Sequence, residues 1–327
     1  MKKTGKIFSA LFMALVLTLA LVPAGVLASD LSPEADINNV GPEVTLVSMK
    51  NGDGTAFGGT ADCMTEYRVD FTVTDTNTLA DLATVAVKIY YPGAAADSAR
   101  SQYTFTWTES TNAWTSSPTG YLDPTHPSTK PSTMTDTSFG FSLYFKLAGV
   151  ALPANATQWK VLITATDDAT STGSNSGTEP TFKVNNYTNL GLSATDLDFG
   201  SAALGAAFSG TPTTTATITC NTALDLPFTG ANLTGTTGGT LGCTQFTITG
   251  GAFAEAATIS GSAQLVRDNY AKTLEDPKLD AAITGYSDAD NSAVLNFSGT
   301  APAAIQAGTY TGTWTITIES VESPTAP

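Results

Sequence analysis

From residue 43 onward the chain alternates apolar and polar residues with a period of two. Tyr67, Val69, Phe71 and Val73 interleave with Arg68, Asp70 and Thr72, and Val85, Val87, Ile89 and Tyr91 repeat the pattern. Tyr103, Phe105 and Trp107 follow, then Phe139 to Leu147, then Trp159, Val161, Ile163 and Ala165. Successive side chains of a strand point to opposite faces, so each segment is a strand with one apolar face. Edge strands at Val44–Met49 and Thr181–Val184 bring the count to seven. Seven antiparallel strands, each with one apolar face, hide those faces by packing as two facing sheets. The expectation for 43–187 is an immunoglobulin-like β-sandwich.

The pattern resumes after a link at Asn185–Leu190, with smaller residues: Ala216, Ile218 and Cys220, then Phe246 with Ile248, then Leu295 with Phe297. Tyr310 to Ile318 reads as one long closing strand. A second β-sandwich over 188–327 is expected, interrupted by an insertion near 263–292. Val266, Tyr270 and Leu274, spaced by four before Pro277, predict a short helix there. Two further stretches break the alternation: a Gly-rich loop at 50–62, and a Pro, Ser and Thr-rich loop at 109–137 long enough to be functional or disordered. The fold class is therefore all-β, two sandwiches in tandem.

The first 28 residues change the picture of where this fold works. Lys2, Lys3 and Lys6 precede an uncharged apolar run from Ile7 to Val22, and Val26-Leu27-Ala28 offers the small residues that a signal peptidase reads. The run is 16 residues, short of the roughly 20 that a membrane-crossing helix needs. The reading is a signal peptide at 1–28 and a leader segment at 29–42, hence export and an extracellular or cell-surface location, with no membrane insertion after cleavage. Cleavage removes three of the 14 Lys and Arg, leaving 11 against 29 acidic residues, a formal charge of −18. Such a surface repels nucleic acid and anionic lipid, which excludes both as partners.

In an oxidising compartment, Cys220 and Cys243 are expected to form a disulfide, since both fall in the second half. Cys63 is then either a buried apolar residue or the site of an intermolecular bridge. Catalysis has little to draw on. His126 is the single histidine, on the Pro-rich loop, and the sequence has no nucleophile elbow, phosphate loop or dinucleotide fingerprint. The chain is read as a non-enzyme that requires no cofactor.

The carboxylates are more suggestive. Asp75 closes the second strand, Asp81 precedes the third and Asp167-Asp168 close the sixth. Because the second and sixth strands run the same way, all four lie on loops at one pole, distal to the link with 188–327. Hard cations take six to eight oxygens, and clustered Asp on neighbouring loops supplies them, which points to calcium; the alternative is Asp that merely caps turns. Trp114 and Tyr121, on the long loop, could stack on a sugar or a partner protein, or fold back onto the sandwich. Asn155, Asn186 and Asn232, with Asn296, head glycosylation sequons.

A resemblance adds to this. Leu197-Asp198-Phe199-Gly200-Ser201-Ala202-Ala203-Leu204-Gly205 resembles the opening strand of bacterial surface β-sandwich domains. Ala307-Gly308-Thr309-Tyr310-Thr311-Gly312-Thr313-Trp314-Thr315-Ile316-Thr317-Ile318 is similar to the final strand of secreted pilus- and coat-like domains. Val73 to Leu82 resembles immunoglobulin-like modules of prokaryotic surface proteins. The resemblance implies a surface location and a role in assembly or adhesion, and it brings no catalytic residue. The sequence therefore points to a structural or interaction component of a surface layer, filament or adhesin, with other surface proteins or its own copies as partners. A carbohydrate- or ligand-binding module, calcium-stabilised and binding polysaccharide, is the alternative.

Overall fold

Alternation becomes burial in the computed structural model, which describes residues 39–92, 101–221, 224–249, 257–261, 264–267 and 292–320. Among the described residues the first half has ten strands. They are β1 (Glu43–Asn51), β2 (Thr60–Ala61), β3 (Glu66–Thr74), β4 (Leu82–Tyr90), β5 (Gln102–Thr108), β6 (Ala113–Ser117), β7 (Ser138–Lys146), β8 (Ala154–Asp167), β9 (Thr172–Ser174) and β10 (Thr181–Val184). The seven expected strands are all present, and β2, β6 and β9 are additions: β2 and β9 are only two and three residues long, and β6 lies inside the Pro, Ser and Thr-rich stretch. One sheet has the order β1-β3-β7 and the other β2-β10-β8-β4-β5-β6, with β9 paired to β8.

The two sheets face each other over one core. Trp107 of β5 meets Phe141 of β7 with ring centroids 5.6 Å apart, and Phe105 meets Phe145 at 5.7 Å. Tyr67, Val69, Phe71 and Val73 of β3 are all buried, as are Val85, Val87 and Ile89 of β4. Each such side chain contributes about 1.5–3 kcal/mol when removed from water. The Gly-rich loop at 50–62 joins this core through Phe57, packed edge-on to Tyr67 and Phe182. The alternation fails on β1, where the register shifts between Thr45 and Ser48 and leaves Leu46 80% exposed at φ 53°.

The Pro-rich loop is neither free nor disordered. Its segment from Tyr121 to Thr129 runs along the outer edge of β7. The Lys146 N–H donates to the Tyr121 carbonyl, Asp123 N–H to the Tyr144 carbonyl and Thr129 N–H to the Ser142 carbonyl, at 2.9–3.1 Å. The Ser128 and Thr129 hydroxyls accept from the Tyr144 and Ser142 N–H groups. An exposed edge would invite pairing with another chain; here the loop occupies it.

Beyond Tyr187 come β11 (Thr188–Leu192), β12 (Thr213–Cys220), β13 (Leu224–Thr229), β14 (Leu233–Gly235), β15 (Thr240–Leu241), β16 (Phe246–Thr249), β17 (Ala257–Thr258), β18 (Gln264–Arg267), β19 (Ser292–Gly299), β20 (Tyr310–Thr311), β21 (Thr315–Ile316) and β22 (Glu319–Ser320). The main sheet has the order β11-β12-β19-β16-β17. Its inner residues Ala216, Ile218, Phe246, Ile248, Leu295 and Phe297 form a second core, separate from the first, that includes Phe228, Leu233 and Leu241 from shorter sheets. The expected long strand Tyr310–Ile318 is instead two two-residue strands, β20 paired with β14 and β21 with β13, and β22 follows the run, also paired with β13. Leu197 to Gly205 is irregular, yet Phe199 packs on Phe246 at 4.7 Å. Of the helix expected in the insertion, Val266 lies on strand β18, while Tyr270 and Leu274 lie outside the described residues. So does the expected signal peptide at 1–28. Among the described residues no helix is long and apolar enough to cross a membrane. Val40 onward forms one compact unit containing both cores.

Candidate metal centre

Three of the four aspartates expected at one pole meet. Asp75 follows the last residue of β3, Asp81 ends the 3-10 turn Leu79–Asp81, and Asp167 is the last residue of β8. One carboxylate oxygen from each lies within 4.8 Å of the other two. The loop between β3 and β4 is set by burial of Leu79 and by backbone bonds. Thr78 N–H donates to the Asp75 carbonyl, and Leu79 and Ala80 N–H donate to the Asp136 and Met134 carbonyls. Thr78 is held at φ 84°, a conformation that β-branched residues rarely adopt. Asp168 links the two loops through its backbone, its N–H donating to the Asp81 carbonyl at 2.7 Å. Its side chain is exposed and stands outside the cluster, so the expectation that it supplies an oxygen is corrected: a strand end turns successive side chains to opposite sides.

The environment of Asp75 is unusual for a carboxylate. The residue is fully buried. Its Oδ1 accepts the Asn77 N–H at 2.8 Å, while Oδ2 is buried without a hydrogen-bond partner. Asp81 Oδ2 is in the same condition. Burial, and secondarily the Asp81 and Asp167 charges, push the Asp75 carboxyl above its ordinary pKa despite the bond from Asn77. The neighbouring charges that act on Asp75 are thus other carboxylates. Asp167 Oδ1 accepts the Ser171 N–H at 2.7 Å.

A second cluster, invisible in the sequence reading, joins Glu66, Asp123 and His126. Its centre is already charged: Lys146 Nζ lies 2.7 Å from Asp123 Oδ2. Asp123 Oδ1 accepts the Thr125 N–H and hydroxyl and the His126 N–H, an Asx-type turn. Burial pushes this carboxyl upward, but Lys146 and the Thr125 hydrogen bonds outweigh it and hold the pKa well below the carboxylate range. His126 stacks on Tyr144, with Nδ1 2.9 Å from Glu66 Oε2. The cluster acts as a clamp on the edge-covering loop. The nearest sequence signal was Asp123-Pro-Thr-His, a turn former whose partner Lys146 is distant in the chain.

Of the two readings open for the loop aromatics, the structure has both folded back onto the sandwich. Tyr121 is only 5% exposed and packs edge-on against Tyr103 in the core. Trp114 is half-buried on β6, edge-on to Phe141, and its indole N–H donates to the Thr129 carbonyl at 2.8 Å. Both rings already have apolar partners at home.

The disulfide is corrected too: no bond joins Cys220 to Cys243. Thr213 of β12 is level with Asn296 of β19, which is level with Thr249 of β16. From that level Cys220 lies seven residues one way, while Phe246 and then Cys243 lie the other way. The two are therefore about 30 Å apart along the sheet, against the 7 Å or less between Cα atoms that a disulfide permits. Cys63 is buried in the first core, and burial pushes its thiol up to about 12. Of the sequon residues, Asn155 lies on β8, Asn186 is half-buried beside β10, and Asn232 is exposed, accepting the Cys243 N–H through Oδ1.

A residue that sequence reasoning passed over joins the two halves. Asn221 is 3% exposed. Its Nδ2 donates to the Ala151 carbonyl at 2.8 Å and the Asn185 carbonyl at 3.0 Å, and its Oδ1 accepts the Tyr187 N–H at 2.6 Å. The same Nδ2 lies 3.5 Å from Cys63 Sγ. Asn185 donates to Asp62 Oδ1 at 2.7 Å. The side chain of Asn221 thus ties the start of the second half to two segments of the first.

No protein-family model and no curated protein sequence matches the chain. Among solved structures it is similar to the CsuC–CsuE chaperone–tip adhesion subunit pre-assembly complex from the archaic chaperone-usher Csu pili of Acinetobacter baumannii. There the identity is 13% and the TM-score 0.27, over 84% of this chain and 92% of that one. It is also similar to BcpA, the major pilin subunit of Bacillus cereus, at 8% identity and TM-score 0.25, over 71% of this chain. The match spans about half of the BcpA chain, 54%. Likeness this slight carries no functional argument.

Proposed function

We propose that this protein is an exported, non-catalytic component of the cell surface, acting by contact with other surface proteins or with its own copies as part of a layer, filament or adhesin. The observation that supports this reading most directly is the Asn221 junction. A short link of Gly and Ser would let two β-sandwiches swing. Here the link is held by three backbone groups bonded to one buried amide, so a load or an orientation passes from one core to the next. A passive structural element needs that property, whereas a pair of independent binding modules does not. The edge strand β7 is already capped by its own chain, so contacts between copies must form elsewhere on the surface.

Size-exclusion chromatography with light scattering, and negative-stain microscopy of the purified secreted chain, test this together with fractionation of the source cells. The expected result is concentration-dependent association, or co-fractionation with the envelope. A strict monomer at high concentration that is found only in the culture medium would refute the reading.

A further inference from the structure

We propose that Asp75, Asp81 and Asp167 hold one hard divalent cation of the calcium class, which ties the β3–β4 loop to the β8–β9 hairpin. Three observations carry this. First, carboxylate oxygens from two loops converge within 4.8 Å, and two oxygens on opposite sides of an ion bound at 2.3–2.6 Å are about that far apart. Second, Asp75 is completely buried, yet its Oδ2 has no hydrogen-bond donor, and Asp81 Oδ2 shares that state. A buried carboxylate oxygen without a donor is costly, the more so when the group is charged. A cation removes that cost for both residues at once. Third, neither Asp75 nor Asp81 has an ion-pair partner among the described residues. The Asp70 and Asp123 carboxylates do, with Lys50, Arg68 and Lys146. The clamp cluster has its cation built in, and the pole does not.

The donors are all carboxylate oxygens, which selects a hard ion over zinc or copper. Water and neighbouring carbonyls would complete the shell. Magnesium demands contraction to about 2.1 Å and near-ideal octahedral geometry, which two separate loops supply less readily than the looser shell of calcium.

The pole has structural consequence. Glu43, the first residue of β1, is level with Thr74, the residue before Asp75. Gly173 of β9 has no room for a side chain, since a Cβ there would lie 1.9 Å from the Pro42 carbonyl. Val184, which ends β10 and leads to the junction, is level with Ala154 at the start of β8. Asp167 is thirteen residues further on along the same strand, about 40 Å away. The ion would thus fix the end of the first sandwich where the chain enters β1, opposite the Asn221 junction.

The test is thermal unfolding of the purified secreted chain, stripped with EDTA and then given calcium chloride, magnesium chloride or sodium chloride at matched ionic strength. Isothermal titration calorimetry with calcium runs in parallel. For a dissociation constant near 1 mM, as in extracellular modules, 10 mM calcium lowers the unfolding constant about tenfold, a rise of several degrees in melting temperature. Asp75→Asn keeps the shape and the acceptor for Asn77. The expected variant melts at or above the EDTA-treated parent, because a buried charge is gone, and its calcium response disappears. Asp167→Asn provides a second variant should the first fold poorly. A parent response no larger than that to sodium chloride, with no calorimetric heat, overturns the site, as does an undiminished response in both variants. A magnesium response equal to that of calcium overturns the choice of calcium.

Discussion

Asn221 is the residue with most to lose by substitution outside the cores. Its amide satisfies two carbonyls and one N–H that are otherwise held away from water at the junction. Asn221→Ala leaves all three without that partner. An unsatisfied buried group costs about 1–3 kcal/mol, and partial relaxation reduces the sum, so a loss of about 2–4 kcal/mol is expected in urea unfolding. A change under 0.5 kcal/mol would mean that water replaces the amide freely. Asn221 sits just after an apolar-patterned strand, and in sequence it looks like any turn asparagine. Its importance comes from Ala151 and Asn185, distant in the chain and brought to it only by folding. The aspartates differ, because Asp75, Asp81 and Asp167 each stand at the visible end of a patterned segment, and strand direction alone places them at one pole. That Asp168 stays outside is decided by the turn after β8, which alternation does not describe.

At the level of elements, the edge of β7 depends on the clamp formed by Asp123 and Lys146. The folded Asp123 carboxyl titrates well below the ordinary value near 3.9. Its contribution to stability is therefore complete above that value and fades as pH falls below it, toward the folded pKa. Asp70, half-buried and bonded to Ser142, Lys50 and Arg68, is lowered in the same direction, the hydrogen bonds and charges outweighing its partial burial, and adds to the acid lability. Asp123→Asn should thus be less stable than the parent at pH 7, and the difference should shrink as pH drops below about 4. Denaturant titrations at pH 7, 5 and 3 read this directly, and a difference that stays constant with pH would remove Asp123 from the account. The loop carrying the clamp was expected to be functional or disordered on length and composition alone. It proved to be an edge cover because its donors and acceptors face β7, a pairing between segments with no shared pattern.

At the level of the molecule, two apolar cores of unequal quality are joined in one chain. Among the described residues, Phe246 alone of the largest fully buried side chains belongs to the second core, while Trp107, Trp159, Tyr103, Phe71, Phe105, Phe141, Phe145 and Phe182 fill the first. Burial of aromatic area dominates core stability, so scanning calorimetry should show two transitions, the second core unfolding at the lower temperature. Cleavage patterns from a protease added between them should place the first cuts beyond residue 187. A single transition with simultaneous cleavage on both sides would mean that the junction couples the cores completely. The second half was also the harder to read. Its small inner residues alternate weakly, and the run Tyr310–Ile318 keeps a perfect period of two while the chain breaks into short pieces that serve two different sheets.

Local patterning determined which segments become strands, which of their faces turn inward, and that the aspartates flank strand ends. These properties follow from the two-residue repeat of an extended chain and need no partner to exist. Tertiary structure decided the rest. Cys220 and Cys243 share a half yet stand at opposite ends of one sheet, because register is set by neighbouring strands. Trp114 and Tyr121 look available in a loop yet are absorbed by the first core, because a covered edge brings them home. The cluster of buried carboxylate oxygens at the pole exists only where two loops, some ninety residues apart in the chain, are folded against each other.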